Sequence, residues 1–229
     1  MFVGGVRALL LQSLHPLAMA GVAAHSGFKG DPWGRLQRTS HFLAVTTFGA
    51  SDDAEAMVAR IRAVHETVTG TAGDGRRYAA SDPHLLRWVH IAEIDSFLAA
   101  HQRYGRDPLD ADGRDGYVAD TARVAEALGV EDPPRSEAEL RAQLIGYQPE
   151  LRGTPAAREA ARFILLNPPL PLLALPPYLA IAGAAVAMLP RSARRELRLP
   201  VLPVAEAIVV RPAGEGITRT IRWAMSPAD

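Results

Sequence analysis

Apolar positions recur at intervals of three and four along most of the chain, and no stretch shows the two-residue alternation of a half-buried strand. The pattern predicts helices over 4–24, 34–47, 53–68, 83–104, 112–128, 136–147, 155–166, 178–189 and 204–210. Start and stop signals agree with these limits. Ser51-Asp52-Asp53 offers caps for one helix, and Asp82 followed by Pro83 begins the next. Gly129 ends a helix, and Ser136 with Glu139 has the spacing of a capping box. Stretches 70–77 and 106–114 read as loops, and their glycines lack the strand and Gly-Lys-Ser/Thr of a phosphate loop. The predicted fold class is all-α, a single helical domain spanning 1–229.

Two segments raise the question of a membrane. Residues 163–190 carry no charge, but prolines 168, 169, 171, 176 and 177 break the first half. The clean helix left, 178–189, is shorter than the roughly 20 residues that a span needs. It suits a core helix, with contact to a membrane surface through 163–190 as the alternative. The N-terminal run has Arg7 and apolar positions 8–11 like a signal peptide, but Gln12, Ser13 and His15-Pro16 interrupt it. A cytoplasmic protein, with membrane association left open, is the expectation.

Composition narrows the chemistry. The 229 residues are 48% hydrophobic and 22% charged, which is ordinary globular usage. Twenty-five basic and 25 acidic residues give zero formal charge, so no field draws a nucleic acid towards the chain. Without cysteine there is no disulfide framework, iron–sulfur cluster or cysteine nucleophile. Lys29 is the one lysine, so a Schiff base could form only there.

The histidines carry the candidate chemistry. Projected as a helix, 53–68 places Ala54, Met57, Ile61, Val64 and Val68 in one stripe, with His65 inside it and Arg62 at its rim. Desolvation and a nearby cation both favour the neutral imidazole that a metal or haem iron requires. The same His could equally pack and bond a carbonyl. On 83–104, Leu86, His90, Ile94, Phe97, His101 and Tyr104 share a face, and His90 with Glu93 could orient a site or satisfy each other. His15 precedes Pro16, which kinks or starts a helix, and a polar residue at such a break can line a pocket. His25, His41 and His84 sit near helix ends and carry little signal.

Arg35, Arg38 and Thr39 share a face of helix 34–47 and suit a planar anion, although a solvated face is the simpler reading. There is no His-Glu-x-x-His and no Gly-x-Ser-x-Gly. The paired Glu-x-x-His of di-iron bundles is represented only by the reversed His90-x-x-Glu93.

Five stretches together resemble a known family: RALLLQSLHPLAMAGVAAHS (7–26), DPWGRLQRTSHF (31–42), RIRAVHETVTG (60–70), DPHLLRWVHIAEIDS (82–96) and the proline-rich run near 168–190. The chain resembles the oxygenase domain shared by latex-clearing rubber oxygenases and the ER-bound MpaB oxygenases, over about 4–200. That resemblance implies haem b in a globin-like helical core. It implies an Arg-x-x-His whose His is the proximal iron ligand, matched here by Arg62 and His65, with Arg87 and His90 competing. The family's Arg-x-x-Lys-Thr element is Arg35-x-x-Arg38-Thr39 here, with arginine for lysine, so a role for a titratable amine is not carried over. The chain starts almost at the first motif, so helices that precede it in larger relatives are expected to be missing.

The resemblance thus implies a haem-dependent oxygenase acting with O2 on an apolar, isoprenoid-like substrate. Arg35, Arg38, Arg62 and His65 would hold the cofactor, His65 would ligate iron, and Thr39 and His90 would assist. Two alternatives stay open: a non-catalytic helical protein that binds haem or lipid, and the same fold with a non-haem metal on His15, His65, His90 and Glu93.

Overall fold

The computed structural model describes residues 1–25 and 32–225. Its helices are α1 (Phe2–Gln12), α2 (Pro16–His25), α3 (Pro32–Phe48), α4 (Ser51–Thr67), α5 (Pro83–Tyr104) and α6 (Ala111–Leu128). They continue as α7 (Glu137–Tyr147), α8 (Pro155–Leu166), α9 (Leu175–Ala187), α10 (Arg191–Leu197), α11 (Pro203–Ala205) and α12 (Arg211–Met225). Tight 3-10 turns occupy Gln148–Glu150 and Leu172–Ala174, and a π-helical turn, Glu206–Val210, joins α11 to α12. The chain is all-α, as its periodicity predicts.

One departure lies in the expected loop at 70–77. Strands β1 (Thr69–Thr71) and β2 (Arg77–Ala79) pair antiparallel, with Gly70 opposite Tyr78. Three-residue strands are too short for alternation to register, and Gly75, at φ 84°, supplies the left-handed turn residue between them.

The expected single helix over 4–24 is two helices bent by 107°. Pro16 has no backbone N–H to continue α1, but its fixed φ suits the first turn of α2. Proline acts the same way in α9. Pro176 and Pro177 fall in its first turn, so the helix starts at Leu175, not at 178. The expected cap at 51–53 is corrected too: those residues lie inside α4, whose N-cap Ala50 makes no side-chain bond. Elsewhere the caps form. Asp82 accepts from His84 N–H at 2.9 Å, and Ser136 accepts from Glu139 N–H at 3.2 Å.

α1 and α5 pack at the centre. Leu10, Leu11 and Leu14 meet Trp88, Ile91, Ala92 and Leu98, and alanines of α8 and α9 close over them. Gly4 permits the approach, since a Cβ there would lie 2.8 Å from the Phe97 ring. Arg7 locks three helices: its guanidinium donates to Asp95 and Ser96 of α5, both at 2.7 Å, and to the Met188 carbonyl at 3.1 Å. Each buried polar atom so paired avoids a desolvation cost of about 1–3 kcal/mol.

Candidate functional site

α4 turns Ala54, Met57, Val58, Ile61, His65 and Val68 inward, at helical spacing. Val64, expected in that stripe, is 51% exposed. His65 is partly buried, and its Nδ1 is fully buried with no hydrogen-bond partner. Among the described residues no group donates to that nitrogen or accepts from it. Burial lowers the pKa of His65 and keeps it neutral, against the pull of the Glu66 carboxylate.

A cavity of about 170 Å³ opens beside it, lined by Arg62, His65, Glu66 and Ser81, with Leu86 of α5 and Leu128 of α6 opposite. Arg62 donates to the Ala127 carbonyl at the end of α6, at 3.2 Å. Arg38 and Thr39 are exposed on α3 and do not line this cavity, nor does His90. The side chain of Arg35, and Lys29 entirely, lie outside the described residues. The structure thus brings Arg62 and His65 to one cavity, which Arg38, Thr39 and His90 do not line.

His90 is partly buried, with Nε2 buried and unpartnered. Burial pushes its pKa down to about 4. Glu93 does not pair with it. Burial pushes that carboxyl up to about 7, against a hydrogen bond from the Gln12 side chain. Gln12 also donates to the Val89 carbonyl at 3.0 Å, so α1 supplies the partner that helix α5 alone seemed to offer.

As a donor set, these groups suit haem: a neutral imidazole with an orphaned buried nitrogen, and an arginine one turn before it. The space is less suited. Ligand pockets typically enclose roughly 300–1,000 Å³, so a macrocycle beside His65 requires the cavity to widen.

A second cluster joins residues that the sequence held apart. His15 lies at the α1–α2 break, His84 in the first turn of α5, and Glu150 at the end of the turn after α7. His15 Nε2 is 3.3 Å from Glu150 Oε2, and His84 Nε2 is 3.0 and 2.9 Å from the two carboxylate oxygens. His15 is buried, while the side chains of His84 and Glu150 are 49% and 40% exposed. Burial lowers the pKa of His15 even against the Glu150 charge. Burial opposes ionisation of Glu150, but hydrogen bonds and charge from His84 and His15 outweigh it and hold the carboxyl below its ordinary value. Among the described residues, this is the His and carboxylate group whose geometry could hold a metal ion. Only His15, by its position at a helix break, could be anticipated from sequence.

Comparison with known proteins extends the picture. Uncharacterised proteins of Mycobacterium bovis and Mycobacterium tuberculosis are each 31% identical over 100 residues. The match covers 43% of this chain and 38% of each relative's length. No solved structure matches. A family model described as "ER-bound oxygenase mpaB/B'/Rubber oxygenase, catalytic domain" matches residues 1–223, and the chain belongs to that family of oxygenase catalytic domains.

Proposed function

We propose that this chain is a haem-b-dependent oxygenase acting with O2 on an apolar, isoprenoid-like substrate. The observation that carries the reading is His65: neutral through burial, its Nδ1 without a protein partner, on the cavity wall with Arg62. A buried unpaired ring nitrogen costs about 1–3 kcal/mol, a cost that ligation to iron would offset. Haem b, when bound, supplies the oxygen chemistry, oxidative cleavage of a C=C bond or a related oxidation.

The protein's own residues have separate tasks. His65 would offer an uncharged nitrogen to the iron. Arg62 and Arg38, with Arg35 on the same helix face, offer cations for propionates. His90 is neutral at physiological pH and has a free Nε2, so it can accept or donate one hydrogen bond in an otherwise apolar setting. Thr39 offers a hydroxyl from α3. Leu86 and Leu128 give one apolar side to a cavity that Arg62, His65, Glu66 and Ser81 also line.

The test is the visible spectrum of protein purified from haem-replete cells. His65→Ala is expected to abolish the Soret band, and His90→Ala to reduce it at most. Full haem content in His65→Ala, with loss in His90→Ala, would assign the iron to His90 instead. The second reading is a helical protein that binds haem or lipid without turnover. Consumption of O2 with an isoprenoid substrate separates the two.

A further inference from the structure

We propose that His15, His84 and Glu150 form a second metal site, distinct from His65, which takes one divalent first-row transition-metal ion of the Zn²⁺ or Fe²⁺ class. The three offer ligand atoms that all lie within 4.8 Å of one another. The His15–Glu150 pair, at 3.3 Å, has the spacing of two ligands on one ion, and the His84–Glu150 pair, at 2.9 Å, is somewhat closer. Ligands about 2.0–2.1 Å from a tetrahedral centre sit about 3.3 Å apart. Two imidazoles and one carboxylate are the donor set of catalytic zinc and of non-haem ferrous sites.

The hydrogen bonds around His84 support a cation at that point. Tyr147 Oη lies 2.7 Å from the His84 carbonyl and 3.2 Å from its Nδ1. The phenol has one proton, and the shorter bond takes it. Oη can then accept from Nδ1–H, which leaves His84 Nε2 facing both Glu150 oxygens, at 3.0 and 2.9 Å, where either a proton or a metal ion can lie between them. An oxygen partner on the far ring nitrogen is also the usual companion of a metal-bound histidine. Tyr147 further stacks on His84, with ring centroids 4.6 Å apart, which fixes the ring's plane.

His15 completes the set from the buried side. Ala18 N–H donates to its Nδ1 at 3.5 Å, a long bond that His15 gives up when Nε2 binds the ion. Trp88 and Tyr147 wall the ring, at centroid distances of 6.4 and 6.3 Å. The exposed edges of His84 and Glu150 give the ion an entry path and leave coordination positions for water. This site does not depend on the haem reading, since none of its residues lines the His65 cavity.

Isothermal titration of chelator-treated full-length protein with Zn²⁺ tests the proposal. One equivalent is expected to bind. Glu150→Gln and His84→Ala should each weaken it by more than about 100-fold, and Tyr147→Phe, which only positions His84, by about 10–100-fold. His65→Ala should bind Zn²⁺ as the unmodified protein does, whatever happens to its haem. Circular dichroism of the metal-free variants separates lost folding from lost ligation. If His84→Ala unfolds, the isosteric Glu150→Gln decides alone. No Zn²⁺ binding by the unmodified protein, or unchanged affinity in either folded ligand variant, overturns the three-residue site.

Discussion

His90 and Glu93 stand one turn apart on α5, and burial acts on them in opposite senses. Glu93 has its pKa raised from 4.5 to about 7. Between those values the folded chain keeps a proton that the unfolded chain has released. Its contribution is complete below about pH 4.5 and is lost as pH rises to about 7, a swing on the order of 3 kcal/mol. His90 has its pKa lowered from 6.5 to about 4, so its contribution is complete above about 6.5 and is lost as pH falls to about 4. In the shared window the two slopes nearly cancel. Glu93→Gln exposes them: relative to the unmodified protein, it should gain on the order of 3 kcal/mol between pH 4 and pH 8. Urea unfolding at both values measures this, and an equal difference at the two would refute a raised Glu93. The partner of Glu93 was not legible in sequence, because projecting one helix shows neighbours on that helix and not Gln12 across the α1–α5 contact. His84 carries little signal in the sequence for the same reason. Its carboxylate partner lies 66 residues away, and 135 residues separate that carboxylate from His15.

The long helices were legible because periodicity and caps coincide. Asp82 and Pro83 start α5 at the predicted residue, and it ends at the predicted Tyr104. Gly129, at φ 101°, ends α6 where predicted. Legibility failed where an element is short or its stripe thin. β1 and β2 have three residues each, and α10 has seven in an arginine-rich stretch. α12 was missed too. Its inward residues, Ile217 and Ile221, reach Tyr104 and Ala184 across α9, a contact supplied by the tertiary fold. Among the described glycines, Gly153, just before α8, makes the tightest approach to a neighbouring element, at the end of α10. Gly153 N–H donates to the Glu196 carboxylate at 2.6 Å, and a Cβ on Gly153 would overlap the Glu196 backbone carbonyl. Gly153→Ala should cost about 1–3 kcal/mol, as overpacking does. For a chain of this size, Tm falls roughly 2–4 °C per kcal/mol. Gly5→Ala is the control, because a Cβ there meets nothing within 4 Å and alanine favours a helix interior. Scanning calorimetry of both should show a lower Tm for the first only, and an unchanged Gly153→Ala would mean that α10 can give way.

At the scale of the molecule, the issue is what the apolar stretch 163–190 faces. α9 turns Ile181, Ala182, Ala184 and Ala185 into the protein, against α1, α5 and α12. The turn before it does the opposite: Leu172 is 83% and Leu173 94% exposed, and Val204 and Ile208 further on are about 70% exposed. No single described helix is long and apolar enough to cross a membrane. Two bent pairs pass by length and composition, α1 with α2, and the Leu172–Ala187 stretch with α10. Each would have to straighten a bend above 100° to span. For the first pair that means tearing Leu10, Leu14 and Met19 out of the main core, at about 25 cal/mol per Å² of apolar surface exposed. The second pair would also break the pairing of Arg194 with Glu206, whose guanidinium is 4% exposed. Packing therefore opposes spanning, while Leu172 and Leu173 remain available for a surface contact. Full-length protein should stay in the supernatant after an alkaline carbonate wash and a high-speed spin, since carbonate strips surface contacts and leaves spans in place. Recovery only with detergent would mean that the α9 face has left this core and entered lipid.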